Sequence, residues 1–239
     1  GDMTGALTNL AAQTTYYYRG LVSNAYLQVW SETRSFATGP WVLPFAEPFE
    51  TLAAGNLQGQ RGWSVTPNRM AVVQGTAYQG TKAAALTNAV TLTHGFTDAT
   101  ATNVVWTDWW AQPVANPLSG ALWMPTNVTA AFYVQAGTGY LVAYDGTNAM
   151  VCSNHPPVSA GVWTHFAIQA DYAAKTWELW LGSGRVAGNL RFYNTNVTRF
   201  VSFNAYEGSS NPPGSYVDDI TIGMSRPNSL GTGSVYRMR

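Results

Sequence analysis

Residues 162–181 read Val162-Trp163-Thr164-His165-Phe166-Ala167-Ile168-Gln169-Ala170-Asp171, then Tyr172-Ala173-Ala174, then Lys175-Thr176-Trp177-Glu178-Leu179-Trp180-Leu181. Two alternating runs parted by a short polar-to-small break are the signature of an antiparallel hairpin. In an extended strand the residues at i, i+2 and i+4 share one face. Phe166, Ile168 and Ala170 therefore form an apolar set, as do Trp177, Leu179 and Leu181. Opposite them stand His165, Ala167, Gln169 and Asp171 on one run, and Glu178 and Trp180 on the other. The same alternation recurs along the chain. Val105, Thr107 and Trp109 oppose Trp106, Asp108 and Trp110; Phe132 and Val134 oppose Tyr133 and Gln135; Val201, Phe203 and Ala205 oppose Ser202, Asn204 and Tyr206. Runs rich in Val, Thr and aromatic residues follow one another between Gly, Asn, Asp and Pro, with almost no helical periodicity. That pattern predicts an all-β fold of mostly antiparallel strands.

Composition limits the function. The 239 residues hold 12 Lys+Arg against 12 Asp+Glu, so only 10% are charged, while 46% are hydrophobic and 13% aromatic. Such a chain can offset the entropy of folding, which excludes disorder. With no net positive charge and no basic block it is not a nucleic-acid binder. No apolar run approaches the roughly 18 residues of a membrane span. No signal peptide is present, as expected of a mature exported chain. Lys occurs only at positions 82 and 175, and with abundant Thr, Asn and Gly this suits an extracellular or cell-surface protein. The lone Cys152 is expected to be a buried small hydrophobe, since it can form no internal disulfide.

Two resemblances add to this reading. Before the break at Gly39-Pro40 and Pro44, the segment Leu7-Thr8-Asn9-Leu10, Thr14-Thr15-Tyr16-Tyr17-Tyr18-Arg19, Ser23-Asn24 and Ser35-Phe36-Ala37-Thr38 resembles the second half of a fibronectin type III domain. Tyr16 takes the place of its corner tyrosine. Residues 1–40 are then a fragment, a piece packed on the next domain, or a piece that completes a sheet with another subunit. From residue 41 to about 225, the ordered set Phe49-Glu50-Thr51, Gly62-Trp63, Gly80-Thr81-Lys82-Ala83-Ala84-Ala85-Leu86, Val105 to Trp110, Trp163 to Trp177 and Tyr216-Val217-Asp218-Asp219-Ile220 is similar to a concanavalin A-like jelly roll of the laminin G-like or MAM-like kind. The resemblance implies an antiparallel two-sheet jelly-roll sandwich that binds glycans or proteins, with residues 226–239 as a tail. It also implies pairing of the first and last strands, which would bring Glu50 to Asp218 and Asp219 as oxygen ligands for a structural calcium ion.

The polar-aromatic faces define the candidate site. If their strands share one sheet, Trp106, Asp108, Trp110, Tyr133, Gln135, His165, Gln169, Glu178, Trp180, Asn204 and Tyr206 lie on one outer surface. Flat rings cover the C–H faces of a sugar and the polar neighbours orient its hydroxyls. The same residues would equally serve to pack a loop, the amino-terminal segment or a second chain. Catalysis is not expected. The Glu-x-Asp-x-x-Glu strand motif of jelly-roll glucanases is absent, and Asp108 with Glu178 is the sole conceivable carboxyl pair. His94, His155 and His165 are isolated, so no zinc site is expected. The leading expectation is a non-catalytic carbohydrate-binding or adhesion module whose partner is a glycan. The alternative is a structural subunit of an extracellular filament or lattice, a homopolymer in which the open amino-terminal segment pairs with a neighbouring protein subunit.

Overall fold

The computed structural model describes residues 10, 14–38, 41–66, 71–87, 89–96, 103–113, 124–208 and 214–230. The expected boundary at Gly39-Pro40, the start of the expected strand at 69–74 and residues 231–239 of the tail lie outside them. Four strands come first: β1 (Thr15–Tyr18), β2 (Leu21–Ser23), β3 (Gln28–Trp30) and β4 (Arg34–Ala37). β1 pairs with β4 and β2 with β3, both antiparallel. Asn24 accepts the amides of Tyr26 and Leu27 and so fixes the turn between β2 and β3. Tyr16 stacks on Phe36 at 5.7 Å. Tyr17, Val22, Tyr26 and Leu27 are exposed.

The sandwich follows: β5 (Phe45–Glu47), β6 (Gly55–Asn56), β7 (Trp63–Thr66), β8 (Ala71–Gln74), β9 (Lys82–Leu86), β10 (Val90–Gly95), β11 (Val104–Gln112), β12 (Phe132–Val134), β13 (Leu141–Asp145), β14 (Asn148–Cys152), β15 (Thr164–Asp171), β16 (Thr176–Leu181), β17 (Gly184–Arg191), β18 (Ser202–Glu207) and β19 (Ser215–Gly223). A nine-stranded sheet runs β17-β16-β15-β11-β19-β9-β8-β6, with β5 also on β19. The first and last sandwich strands pair as expected, Ile220 opposite Glu47. Over the inner face of this sheet lie two three-stranded sheets, β18-β10-β7 and β12-β13-β14. The chain is all-β, in antiparallel sheets packed as a jelly-roll-type sandwich, and among the described residues no helix is long and apolar enough to cross a membrane.

One core fills the space between the layers. Phe166, Trp177 and Leu179 enter it from the large sheet as the alternation predicts, and Trp109 with them. Trp63, Leu92, Phe203, Leu141 and Cys152 enter from the smaller sheets, so Cys152 is the buried hydrophobe expected. Trp109 bridges the layers, with its ring 5.6 Å from Phe203 and 6.0 Å from Phe132. The Trp177 indole donates to the Tyr144 carbonyl at 3.1 Å. A bulge interrupts the β11–β19 ladder between Asp108 and Trp110, with Asp219 at φ 48°. The extra residue resets the alternation, so Val217 and Ile220 both reach the core.

Candidate functional site

The structure divides the eleven expected carbohydrate-binding residues between two surfaces. Trp106, Asp108, Trp110, His165, Gln169, Glu178 and Trp180 do share a sheet, as cross-strand partners on the outer face of β11, β15 and β16: Trp106 with Gln169, Trp110 with His165, Gln169 with Glu178. That face is largely covered. Leu230 packs on Trp106 and Ala167, the Arg226 guanidinium lies 4.7 Å from the Trp180 ring, and the Ser229 hydroxyl donates to Asp108 at 2.6 Å. Asp108 also bonds His165, and both are buried. Tyr78 lies flat on Trp110, with 3.6 Å between ring centroids. Glu178 takes Arg185 at 2.9 Å. The conceivable catalytic pair of Asp108 and Glu178 is therefore engaged elsewhere, and the aromatic rings of this face serve packing rather than open stacking. Apolar rings beside a chain segment are buried by it, because removing their surface from water is favourable.

Tyr133, Gln135, Asn204 and Tyr206 lie on the other layer, on β12, β18 and the residue after β12. They do not share a sheet with the first group, and β12 and β18 do not share one with each other. These two strands are the facing edges of a cleft. It opens into a cavity of ≈ 290 Å³ walled by Trp109, Phe132, Phe166, Ile168, Phe200 and Phe203, with Tyr133, Asn204 and Tyr206 also on its lining. Among the described residues Glu207 is the single charged one on that lining, and its carboxylate accepts the Ser215 hydroxyl.

Beside the cleft, the outer face of β7, β10 and β18 carries only neutral polar groups and one ring. Cross-strand rows place Thr66, Thr91 and Tyr206 in one line and Ser64, Thr93 and Asn204 in the next. Asn204 and Thr93 are bonded at 2.8 Å, and the Asn204 amide donates to Ser202 at 2.9 Å. Across the cleft Tyr133 begins a row of tyrosines, its ring 6.5 Å from Tyr144, which is 5.9 Å from Tyr193. Burial raises the Tyr144 pKa, and the neighbouring phenols of Tyr133 and Tyr193 add to the rise. Gln135 receives the Thr138 hydroxyl at 2.9 Å within its own turn. Sequence reading did not select Tyr144 or Tyr193. The alternation of Tyr144 with Ala143 along β13 was the available signal, but Tyr144 shares its face with the apolar Val142, so the sequence alone does not say which face is the core.

Two of the three expected calcium ligands, Glu50 and Asp218, accept hydrogen bonds from protein donors. Glu50 accepts the amides of Thr81 and Lys82 at 2.7 and 2.8 Å and the Thr81 hydroxyl at 2.8 Å, bonds that hold its carboxyl below the usual range. The Lys82 ammonium donates to the carbonyls of Glu50 and Leu52. Asp218 accepts the amides of Tyr78, Gln79 and Asp219. Burial still raises the Asp218 pKa against those bonds. Burial raises that of Asp219 too, Asp108 adding to the effect and His165 opposing it. Oxygen atoms that calcium would need are thus occupied by N–H and O–H groups, and an ammonium sits on the neighbouring carbonyls. As placed, Glu50 and Asp218 clamp the loop of residues 78–82. Among the described residues no group of three or more His, Cys, Asp or Glu side chains is placed to hold a metal.

No protein-family description matches the chain, and no curated protein does. Among solved structures, the fold is similar to domain 4 of AbnA, an extracellular GH43 arabinanase from Geobacillus stearothermophilus solved with arabinotriose. The TM-score is 0.47 and the identity 16%, over 70% of this chain and 85% of that one. A mutant Trypanosoma rangeli sialidase displaying trans-sialidase activity gives a TM-score of 0.45 at 11% identity, over 68% of this chain and 28% of that one. Peanut lectin gives 0.39 at 10% identity, over 75% and 96%. These are likenesses of fold at low identity, and no residue role is carried over from them. The laminin G-like, MAM-like and fibronectin type III resemblances rest on the sequence alone.

Proposed function

We propose that this protein is a non-catalytic module that binds a neutral glycan across the cleft between β12 and β18. The observation that carries the reading is the composition of the rim: Tyr133, the first of a row of three half-buried tyrosines that leads away from the cleft, on one side, and Tyr206 among Thr, Ser and Asn side chains on the other. Tyrosine rings offer flat apolar surface with a polar tip, and neutral amides and hydroxyls exchange hydrogen bonds with sugar hydroxyls without the desolvation cost of a charge. The scarcity of charge in the whole chain suits the same ligand. A secreted or cell-surface setting belongs to this reading.

A glycan array followed by calorimetry on the bound sugars tests it. Tyr206→Ala and Tyr144→Ala are each expected to weaken binding by about tenfold, the worth of one lost stacking contact. Trp180→Ala is expected to leave affinity unchanged, because that ring is engaged by Arg226. Loss on Trp180→Ala with none on Tyr206→Ala would move the site to the large sheet and overturn the proposal.

A self-assembling subunit is the second reading, and the exposed Tyr17 and Val22 of β1 and β2, with Tyr26 and Leu27 of the turn before β3, favour it. Apolar strand faces seek partners. Sedimentation across a wide concentration range is then expected to show association that Val22→Ser with Leu27→Ser abolishes. A species that stays monomeric throughout would exclude it.

A further inference from the structure

The rim of the cleft and its interior differ in chemistry. The rim offers hydroxyls, amides and tyrosines, whereas the interior is walled by Trp109, Phe132, Phe166, Ile168, Phe200 and Phe203. A bare sugar satisfies the first surface and leaves the second without a partner. The interior is large enough for a substituted ring: an apolar cavity of roughly 150 Å³ holds benzene, and this one measures ≈ 290 Å³. Its walls are also inclined in ways that suit a flat guest. Trp109 meets Phe203 at 74° and Phe132 at 35°, and Phe132 meets Phe166 at 37°. A ring inserted among them finds both edges and faces, the geometries that aromatic pairs prefer. Among the described residues the one carboxylate on the lining, that of Glu207, accepts the Ser215 hydroxyl, and the six walls named are apolar.

From this, and resting on the glycan reading of the rim, we infer that the ligand is a neutral glycan bearing an aromatic substituent, with the sugar across the rim and the aryl group in the cavity. The glycan class is thereby narrowed from neutral sugars in general to aryl-substituted ones.

The test compares matched 4-nitrophenyl, n-hexyl and methyl glycosides of glucose, galactose, xylose and arabinose by calorimetry. The aryl glycoside of the preferred sugar is expected to bind at least about tenfold more tightly than its methyl counterpart, and more tightly than the hexyl one. Filling the cavity with Ala170→Leu is expected to remove that advantage while leaving the methyl glycoside unaffected. Ile168→Trp, at a more open position of the same wall, provides the same comparison if Ala170→Leu does not fold. Equal affinity of aryl and methyl glycosides, with binding intact, would overturn this inference and leave the rim reading standing. Hexyl matching aryl would also overturn it, since the cavity would then select apolar bulk and not a ring. Binding of no glycoside at all would refute the rim reading, and this one with it.

Discussion

Trp63→Ala is expected to lower the free energy of unfolding by about 4 kcal/mol, in the range of large-to-small aromatic substitutions in a core. The indole is 1% exposed. It stacks on Phe49 at 5.8 Å and meets His94, Phe45 and Phe203 edge-on. Its Nε1–H donates to Glu47 at 3.2 Å, and Glu47 is itself fully buried. The Phe49 amide bonds the other Glu47 oxygen at 2.8 Å, and Arg61 approaches to 3.6 Å. Truncation therefore opens a void and also strips a donor from a buried carboxylate. Trp63→Phe separates the two effects: it keeps most of the volume and loses only the donor, at an expected cost of about 1–3 kcal/mol. Urea unfolding of both variants measures this. A Trp63→Ala loss below that of Trp63→Phe would show that the cluster does not anchor the sandwich.

The second large effect is pH-dependent and belongs to the same cluster. His94 is fully buried, and burial pushes its pKa from 6.5 down to about 4. The hydrogen bond to the Arg61 carbonyl opposes that fall, while the Arg61 guanidinium adds to it. Above about pH 6.5 the imidazole is neutral in both the folded and the unfolded chain, and there is no cost. As the pH falls below that, the unfolded chain binds a proton that the folded one refuses until about pH 4. The His94 contribution therefore falls through this window by about 3 kcal/mol and then levels off. Glu47, whose pKa burial raises, acts with the opposite sign: its contribution is lost as the pH rises through its folded value. Asp218 and Asp219 are raised too and act likewise. The measurement must therefore be a difference. Unfolding of the native chain and of His94→Gln is compared at several pH values from 7 to 4, and the native advantage is expected to shrink by about 3 kcal/mol across the window. Parallel profiles would disprove the assignment.

Local alternation carried much of the fold. It sorted Phe166, Ile168, Ala170, Trp177, Leu179 and Trp109 onto the core side, and it grouped Trp106, Asp108, Trp110, His165 and Trp180 on the opposite face, as the register of β11, β15 and β16 requires. Period-2 patterns report faces but not sheet membership. Nothing in Tyr133 or Asn204 says that β12 and β18 belong to separate sheets, because that depends on β10 pairing with β18 over more than a hundred residues of chain. The covering of Asp108 by Ser229, 121 residues away, was hidden for the same reason. β14 carries no period-2 signal because its first four residues are exposed and do not alternate, and in β17 two bulges and Gly188 break the pattern. Around the expected calcium ligands, the detail hidden from the sequence lies at the level of individual donors. The pairing of β5 with β19 was foreseeable, whereas the capture of Glu50 by Thr81 and Lys82 depends on how one loop turns back.

For a guest bound as proposed, the break between the two smaller sheets also sets how it arrives and leaves. In an unbroken layer, a ring would have to part a ladder of backbone hydrogen bonds, each worth about 1 kcal/mol. Here no ladder joins β12 to β18, so among the described residues side chains border the passage inward between these strands. Exposed rotamers exchange in picoseconds to nanoseconds. Association is then limited by orientation at encounter, and ligands that fill the interior to different depths will enter at similar rates. What distinguishes them is residence time.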